Sequence, residues 1–315
     1  MTSPDYLLAT PRAAGLQEYA GHIVLRVYLR HLRATSGTKA GAIARRTGVN
    51  KTRLLRIERG MGARISLKDA SVFVPGYVGQ DHAARRALLR LAATHDDGPP
   101  RTAVDQHPDW EERLAAVERA AMCARIFSQW EIPHAYQSPQ YRAWRARATG
   151  HFHSPRPLAR ARPQARRDGA PLLILHDRVL RRPLGGYSAF AEQLAHLLCE
   201  VRNERLRFRV LPPTPGFDGH PYFTVTELLV PSQRETPQPP VDGYTPEPPS
   251  MRLYVCEGPR LTYSSGIEGI QREGAFLNRA TALCLSPDAS VNLLKRAHER
   301  YAVKSAAPPW RESGW

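Results

Sequence analysis

Cysteine is scarce in this chain: four residues in 315, Cys123, Cys199, Cys256 and Cys284, with no CxxC and no Cys/His cluster. That scatter argues against a disulfide framework or a zinc site and fits reduced thiols in a cytosol. Long apolar runs are missing too. No stretch approaches the roughly 18 residues of a membrane span, and MTSPDYLLATPR is too short an apolar run for a signal peptide. A cytoplasmic protein without a membrane partner is expected. GxSxG, the P-loop and GxGxxG are absent. His151 and His153 lack a third ligand nearby in sequence. His176 and Asp177, adjacent at a predicted strand end, face opposite ways, and Glu192 with His196 at i, i+4 reads as a surface pair. No catalytic residue, metal or cofactor is expected.

Acids are also few, 29 against 45 Lys and Arg, for a formal charge of +16 and a pI near 10.2. Such a surplus points to a polyanionic partner. It is concentrated in two places. Residues 21–65 hold eleven Lys or Arg and one acid, Glu58, while residues 132–167 hold eight arginines and no acid. The remainder is nearly neutral. A surface needing only solubility would mix the signs.

Within the first patch, AGAIARRTGVNKTRLLRIERG (residues 40–60) has the grammar of a helix-turn-helix. Ile43, Val49, Leu54 and Ile57 are spaced for two short helices sharing one core. Ala44 falls where they cross, and Gly48 where a left-handed turn residue is easiest to supply. Asn50 suits an N-cap and Gly60 a C-terminal stop. The remaining face carries Lys51, Thr52, Arg53 and Arg56, which can donate to phosphates or guanine edges. Lys39, Arg45 and Arg46 add further cations on and beside the preceding helix, and spacing alone does not divide these groups between bases and phosphates.

In order along the chain, a loose arm to about residue 17 is followed by a helix over 18–35. Ile23, Val27 and Leu32 are its buried stripe, and Arg26, Arg30 and Arg33 face out. Thr38 is a candidate cap for the next helix. After the helix-turn-helix, one helix starts at Ser66 and stops at Pro75-Gly76, and another spans 81–94. The fold class expected is an all-α five-helix head over 18–95, a linker over 96–108 and an α+β domain over 109–303. In that domain Asp109 caps one long helix, WEERLAAVERAAMCARIFSQW. Helices follow Ser138 and cover 187–202; PLLILHD, LRFRVL, YFTVTELLV, MRLYVCE and LTYSS are strands, and two helices close the chain. Residues 151–168 and 231–250, the latter with seven prolines, are expected flexible loops.

The ending IERG and the pattern from Gly48 to Gly60 resemble the lambda-repressor-like, XRE-type helix-turn-helix. WEERLAAVERAA, IPHAYQSPQY, LILHDRVLRRPLGG, FAEQLAHLL and FRVLPPTPGFDGHPYFTVTEL, continued by LYVCEG and ALCLSP, resemble the antitoxin-like domain that follows such heads in many actinobacterial regulators. The resemblance implies a sequence-specific DNA-binding transcriptional regulator. Its partners would be double-stranded DNA, a second copy of the chain, and a small partner protein encoded nearby or an effector. By residue match it also implies Lys51, Thr52 and Arg56 at base edges, with Lys39, Arg45, Arg46 and Arg53 expected on phosphates, and an ion pair between Arg33 and Glu58 that ties the first helix to the recognition helix. The chain departs from the pattern at Ala40 (often glutamine), Thr47 (usually less polar), Leu55 (often serine) and Arg178 (usually an acid). An interaction or sensor module whose DNA binding is weak or degenerate is the alternative expectation.

Overall fold

The computed structural model describes residues 19–60, 65–93, 102–149, 169–231 and 250–306. An N-terminal helical region precedes a C-terminal α/β region built on a mixed seven-stranded sheet. The expected basic loop at 151–168 with His151 and His153, the proline-rich stretch between Pro231 and Ser250, and the arm before residue 18 lie outside the described residues.

The chain begins with α1 (Ala20–Thr35), whose first ten residues are all buried. It is covered on both sides. The short helices α2 (Ala40–Thr47), α3 (Lys51–Arg59), α4 (Leu67–Phe73), α5 (Pro75–Val78) and α6 (His82–Ala92) gather around one side. Strand β1 (Thr102–Asp105) and helix α7 (Trp110–Ala120) lie against the other. That double contact overturns the expectation that Arg26 faces solvent. Arg26 is 2 % exposed, and its Nη1 donates to the Pro231 carbonyl at 3.5 Å. A Cβ on Gly21 would collide with the Leu91 carbonyl, so α1 and α6 approach backbone to backbone there.

Thr38 does not cap α2; the N-cap is Lys39, without a side-chain bond. Pro75-Gly76 does not end the helical path either. Val74 stays helical, and Pro75 opens α5 in the first turn, where its missing N–H leaves no bond unmade. Six helical segments therefore stand between residues 20 and 92 where five were expected.

The remaining elements are β2 (Cys123–Ser128), α8 (Pro139–Thr149), β3 (Leu172–His176), α9 (Asp177–Arg181), α10 (Gly186–Arg202), β4 (Arg207–Leu211), β5 (Thr224–Pro231), β6 (Ser250–Glu257), β7 (Leu261–Ser265), α11 (Gly266–Gly269), α12 (Ala275–Leu283) and α13 (Pro287–Ala306). The sheet order is β1-β7-β6-β5-β2-β3-β4. Strands β2, β3 and β4 run parallel and are joined through helices; every other pairing is antiparallel. After β2 the chain builds β3 and β4 on one side, then crosses back and builds β5, β6 and β7 on the other, where β7 meets the earlier strand β1. The sheet is mixed, with helices between the parallel strands, so the C-terminal region is α/β where an α+β domain was expected.

Two further expectations are corrected. The long helix from Trp110 ends at Ala120, and CARIFS is strand β2, buried along its whole length. Asp109 holds the N-cap position at φ 64° without a side-chain bond. Residues 102–105, inside the expected linker, form β1, which pairs with β7. Arg113, 1 % exposed, clasps Asp105 with two bonds of 2.7 Å.

Cross-strand partners share a face, so the register sorts the sheet into two sides. Ile126, Leu173, Leu175, Val210, Leu228, Val255 and Tyr263 meet Leu114 and Val117 of α7, Phe190 and Leu194 of α10, and Leu294 of α13. Phe127, Ile174, Val225, Tyr254 and Cys256 meet Leu277 and Ala280 of α12. On the outer edge of β4, Val210 donates to Ser290 Oγ (3.0 Å) and accepts from Leu285 N (2.9 Å), pairing groups that an open edge would expose.

Candidate nucleic-acid interface

Helices α2 and α3 are short, so their ends decide their geometry. Gly48 closes α2 at φ 71°, in the left-handed region where a side chain is strained. Asn50 Oδ1 accepts from Thr52 N at 2.8 Å and opens α3, and Gly60 at φ 72° closes it. Ile43 and Leu54 are each 1 % exposed, with Ala44, Val49 and Ile57 packed around them. Thr47 is accommodated in this core because its hydroxyl bonds the Ile43 carbonyl at 2.9 Å, one turn back. Its methyl faces Gly76, where any Cβ would collide with it.

With that inner face occupied, Lys51, Thr52, Arg53 and Arg56 all stand exposed on α3, and so does Arg59, which the sequence reading passed over. Its signal was present: Arg59 follows Leu55 by four residues and Arg56 by three, the spacing of one helix face. Lys39, Arg45 and Arg46 are exposed on and beside α2. Ala40 is buried and supplies no donor. Arg53 is not a free cation: its Nη2 lies 2.7 Å from Asp69 Oδ1, in the first turn of α4. An acid sixteen residues away in sequence was not visible from the helix itself.

Behind this face, Glu58 is 2 % exposed and takes three bonds from Arg33, at 2.7, 3.0 and 2.6 Å, plus one from Tyr77 Oη at 2.9 Å. The hydrogen bonds to Glu58 push the Arg33 pKa up, and burial together with that carboxylate pushes Tyr77 up. One carboxylate thereby joins α1, α3 and α5. Arg33 is 24 % exposed, which screens the pair. A double-mutant cycle on Arg33→Ala and Glu58→Ala should give a coupling of about 0.5–3 kcal/mol in urea unfolding. Zero coupling would show that the pair is incidental.

Helix α1 also meets α7 through His31, whose Nε2 is 3.1 Å from Arg119 Nη2 and 3.9 Å from Glu112 Oε1. Burial, then Arg119, hold its pKa below the ordinary imidazole value, with Glu112 opposing. Burial likewise lowers His176 and His220. The unfolded chain therefore takes these protons first. Stability is full above the unfolded value of about 6.5 and falls as pH drops toward the lower folded values. Urea midpoints should decline between pH 7 and pH 5.5, and His31→Asn should flatten the decline; a slope unchanged in that variant removes His31 from the account.

In the distal half, His176 and Asp177 have separate local partners. His176 Nδ1 accepts from Arg178 N at 3.1 Å, and Asp177 pairs with Arg181 at 2.6 Å. Among the described residues no group of three or more His, Cys, Asp or Glu is placed to hold a metal ion, and no helix is long and apolar enough to cross a membrane.

Comparison with curated proteins and with solved structures gives no match. A family model described as a domain of unknown function, DUF5753, matches residues 112–296, from α7 into α13. Strand β1 and its clasp residue Asp105 lie before that span, Arg113 within it. Since the matched span is more than half of its length, the chain belongs to the DUF5753 family.

Proposed function

We propose that the protein is a sequence-specific DNA-binding transcriptional regulator. Its N-terminal helical region is an XRE-type helix-turn-helix head, and its C-terminal α/β region takes a small partner protein or effector. The observation that carries this reading is the exposed row Lys51, Thr52, Arg56 and Arg59 on a helix whose opposite side is fastened by Leu54 and Glu58. A helix of nine residues with fixed ends and an outward row of donors suits the major groove, where lysine and arginine reach guanine O6 and N7. Lys39, Arg45 and Arg46 serve the phosphates on either side. Arg53 joins them only by leaving Asp69. The protein acts as a homodimer, with half-sites about 34 Å apart or a multiple of that.

Selection of bound duplexes from a random pool at physiological salt tests the reading, and enrichment of a palindrome is expected. Salt has to be fixed, because a basic surface holds any DNA with a Kd on the order of 10⁻⁴–10⁻⁶ M. Arg56→Ala should weaken the selected site by about 1–3 kcal/mol and relax preference at one base pair. An equal loss on all sequences would remove Arg56 from base reading, and a pool left unenriched would favour a module whose DNA binding is degenerate.

A further inference from the structure

At one end of the sheet the parallel strands β2 and β3 finish beside the start of the antiparallel strand β5. Two large apolar side chains stand in solvent there: Trp130, two residues past β2, 41 % exposed, and Phe223, one residue before β5, 45 % exposed. Their backbones are joined, since Ser128 pairs with Thr224 and Gln129 N donates to the Phe223 carbonyl at 3.3 Å. From the end of β3, the Arg178 guanidinium lies 4.8 Å above the Trp130 ring. The adjoining loop is held from beneath. The Gln129 amide donates to the His220 and Tyr222 carbonyls, and Phe217 and His220 pack on Phe276 of α12.

The charge of this edge is one-sided. Residues 129–149 and 176–186 carry six arginines against two acids, Glu131 and Asp177, each already paired with an arginine. Asp218 is the acid of the 212–222 loop. We propose that this edge is a docking surface for an acidic peptide segment of a partner protein. An apolar or aromatic side chain of that segment seats against Trp130 and Phe223, and its carboxylates meet Arg178 and the neighbouring arginines. Tryptophan and arginine are the residues that most often dominate such interfaces. Arginine beside an aromatic ring would also suit a nucleic acid, and position decides between the two. Strand β5 runs eight residues from this edge to Pro231, whose carbonyl takes Arg26 beneath the end of α3. At about 3.3 Å per residue the two ends stand about 25 Å apart, so a duplex on α3 and a peptide on this edge are separate ligands. The assignment rests on the partner-binding role proposed for the C-terminal region and is independent of DNA recognition by α3.

Panning a random-peptide display library against the full-length chain at physiological salt is the test. The expected result is enrichment of peptides with Asp or Glu beside Trp, Phe or Leu. Their affinity should fall at least about tenfold in Trp130→Ala and in Arg178→Glu, and stay unchanged in Val303→Ser, an exposed position on α13. Because the substituted side chains are exposed, thermal midpoints close to that of the parent should accompany the loss. No enrichment, enrichment of basic peptides, or binding that survives both substitutions overturns the proposal. So does a single-stranded oligonucleotide whose binding depends on Trp130, which would give the edge to nucleic acid. Arg56→Ala separates the two readings: it weakens the duplex and leaves the peptide bound.

Discussion

Asp105→Ala is expected to destabilise the protein by about 3–5 kcal/mol, the cost of leaving a buried charge without its partner. Asp105 is 2 % exposed and Arg113 1 %, so water reaches neither. Arg113 would keep only the carbonyls of Pro108 (3.0 Å) and His107 (3.1 Å), which orient the guanidinium without neutralising it. The loss is also topological, because the pair pins strand β1 to helix α7 while β1 pairs with β7. Urea unfolding followed by far-UV dichroism measures it. The double variant Asp105→Leu with Arg113→Met should recover part of the loss, since no charge remains buried. Recovery is incomplete because the two carbonyls lose their donor, at about 1–3 kcal/mol each where they stay dry. A single variant within 1 kcal/mol of the parent would mean that the region around β1 opens readily to water, and that the clasp contributes little.

The clasp was illegible in the sequence for a definite reason. TAVD sits in a run of Gly, Pro, Asp and His that has the composition of a linker, and four residues are too few for alternation to stand out. What makes it a strand is β7, about 160 residues later, and a carboxylate that pairs with an arginine on the next helix. The helix α3 is the opposite case. Its N-cap, its two left-handed glycines and its apolar spacing are all local, so its limits and its exposed row could be read directly. Where a residue's fate depended on a distant element, the reading failed. Arg26 was placed outward by helical period, yet a sheet covers that side of α1. For Arg53, expected on phosphate, the helix alone gives no sign of Asp69, the acid it pairs with sixteen residues on.

The same dependence explains the misread helix after Trp110. Arg125 and Gln129 lie four residues apart, like the polar flank of an amphipathic helix, and Ala121, Ala124 and Phe127 complete its apolar side. In the structure Arg125 points from β2 toward α12, inside the protein, where Thr281 Oγ1 accepts from it at 3.3 Å. A charged residue at the centre of a buried strand is a poor strand signal unless its partner is known, and the partner, Glu227, lies 102 residues away.

Glu227→Ala should therefore be at least as damaging as Asp105→Ala. Glu227 is fully buried and answers two guanidiniums: Arg125 at 3.0 Å and Arg252 at 3.2 Å, with Tyr254 Oη at 3.1 Å. Removing the carboxylate takes the acid partner from Arg125, 1 % exposed, and one partner from Arg252, 10 % exposed, with both positive charges still inside the protein. The expected cost is about 3–5 kcal/mol or more, a large part of the roughly 5–15 kcal/mol that holds a typical domain together. The surroundings give no room for relaxation. Gly269 precedes the wide π-helical turn at Ile270–Gly274 and Gly274 ends it, and a Cβ on Gly274 would stand 2.6 Å from Tyr254 Oη. Two milder variants keep the claim testable if the alanine form fails to accumulate. Glu227→Gln retains an acceptor and should lose less; Arg125→Met leaves Glu227 with Arg252 and Tyr254 and should lose less again. Guanidinium unfolding that ranks Arg125→Met as the most harmful of the three would mean that this layer is held by the packing of the arginine and not by the carboxylate at its centre.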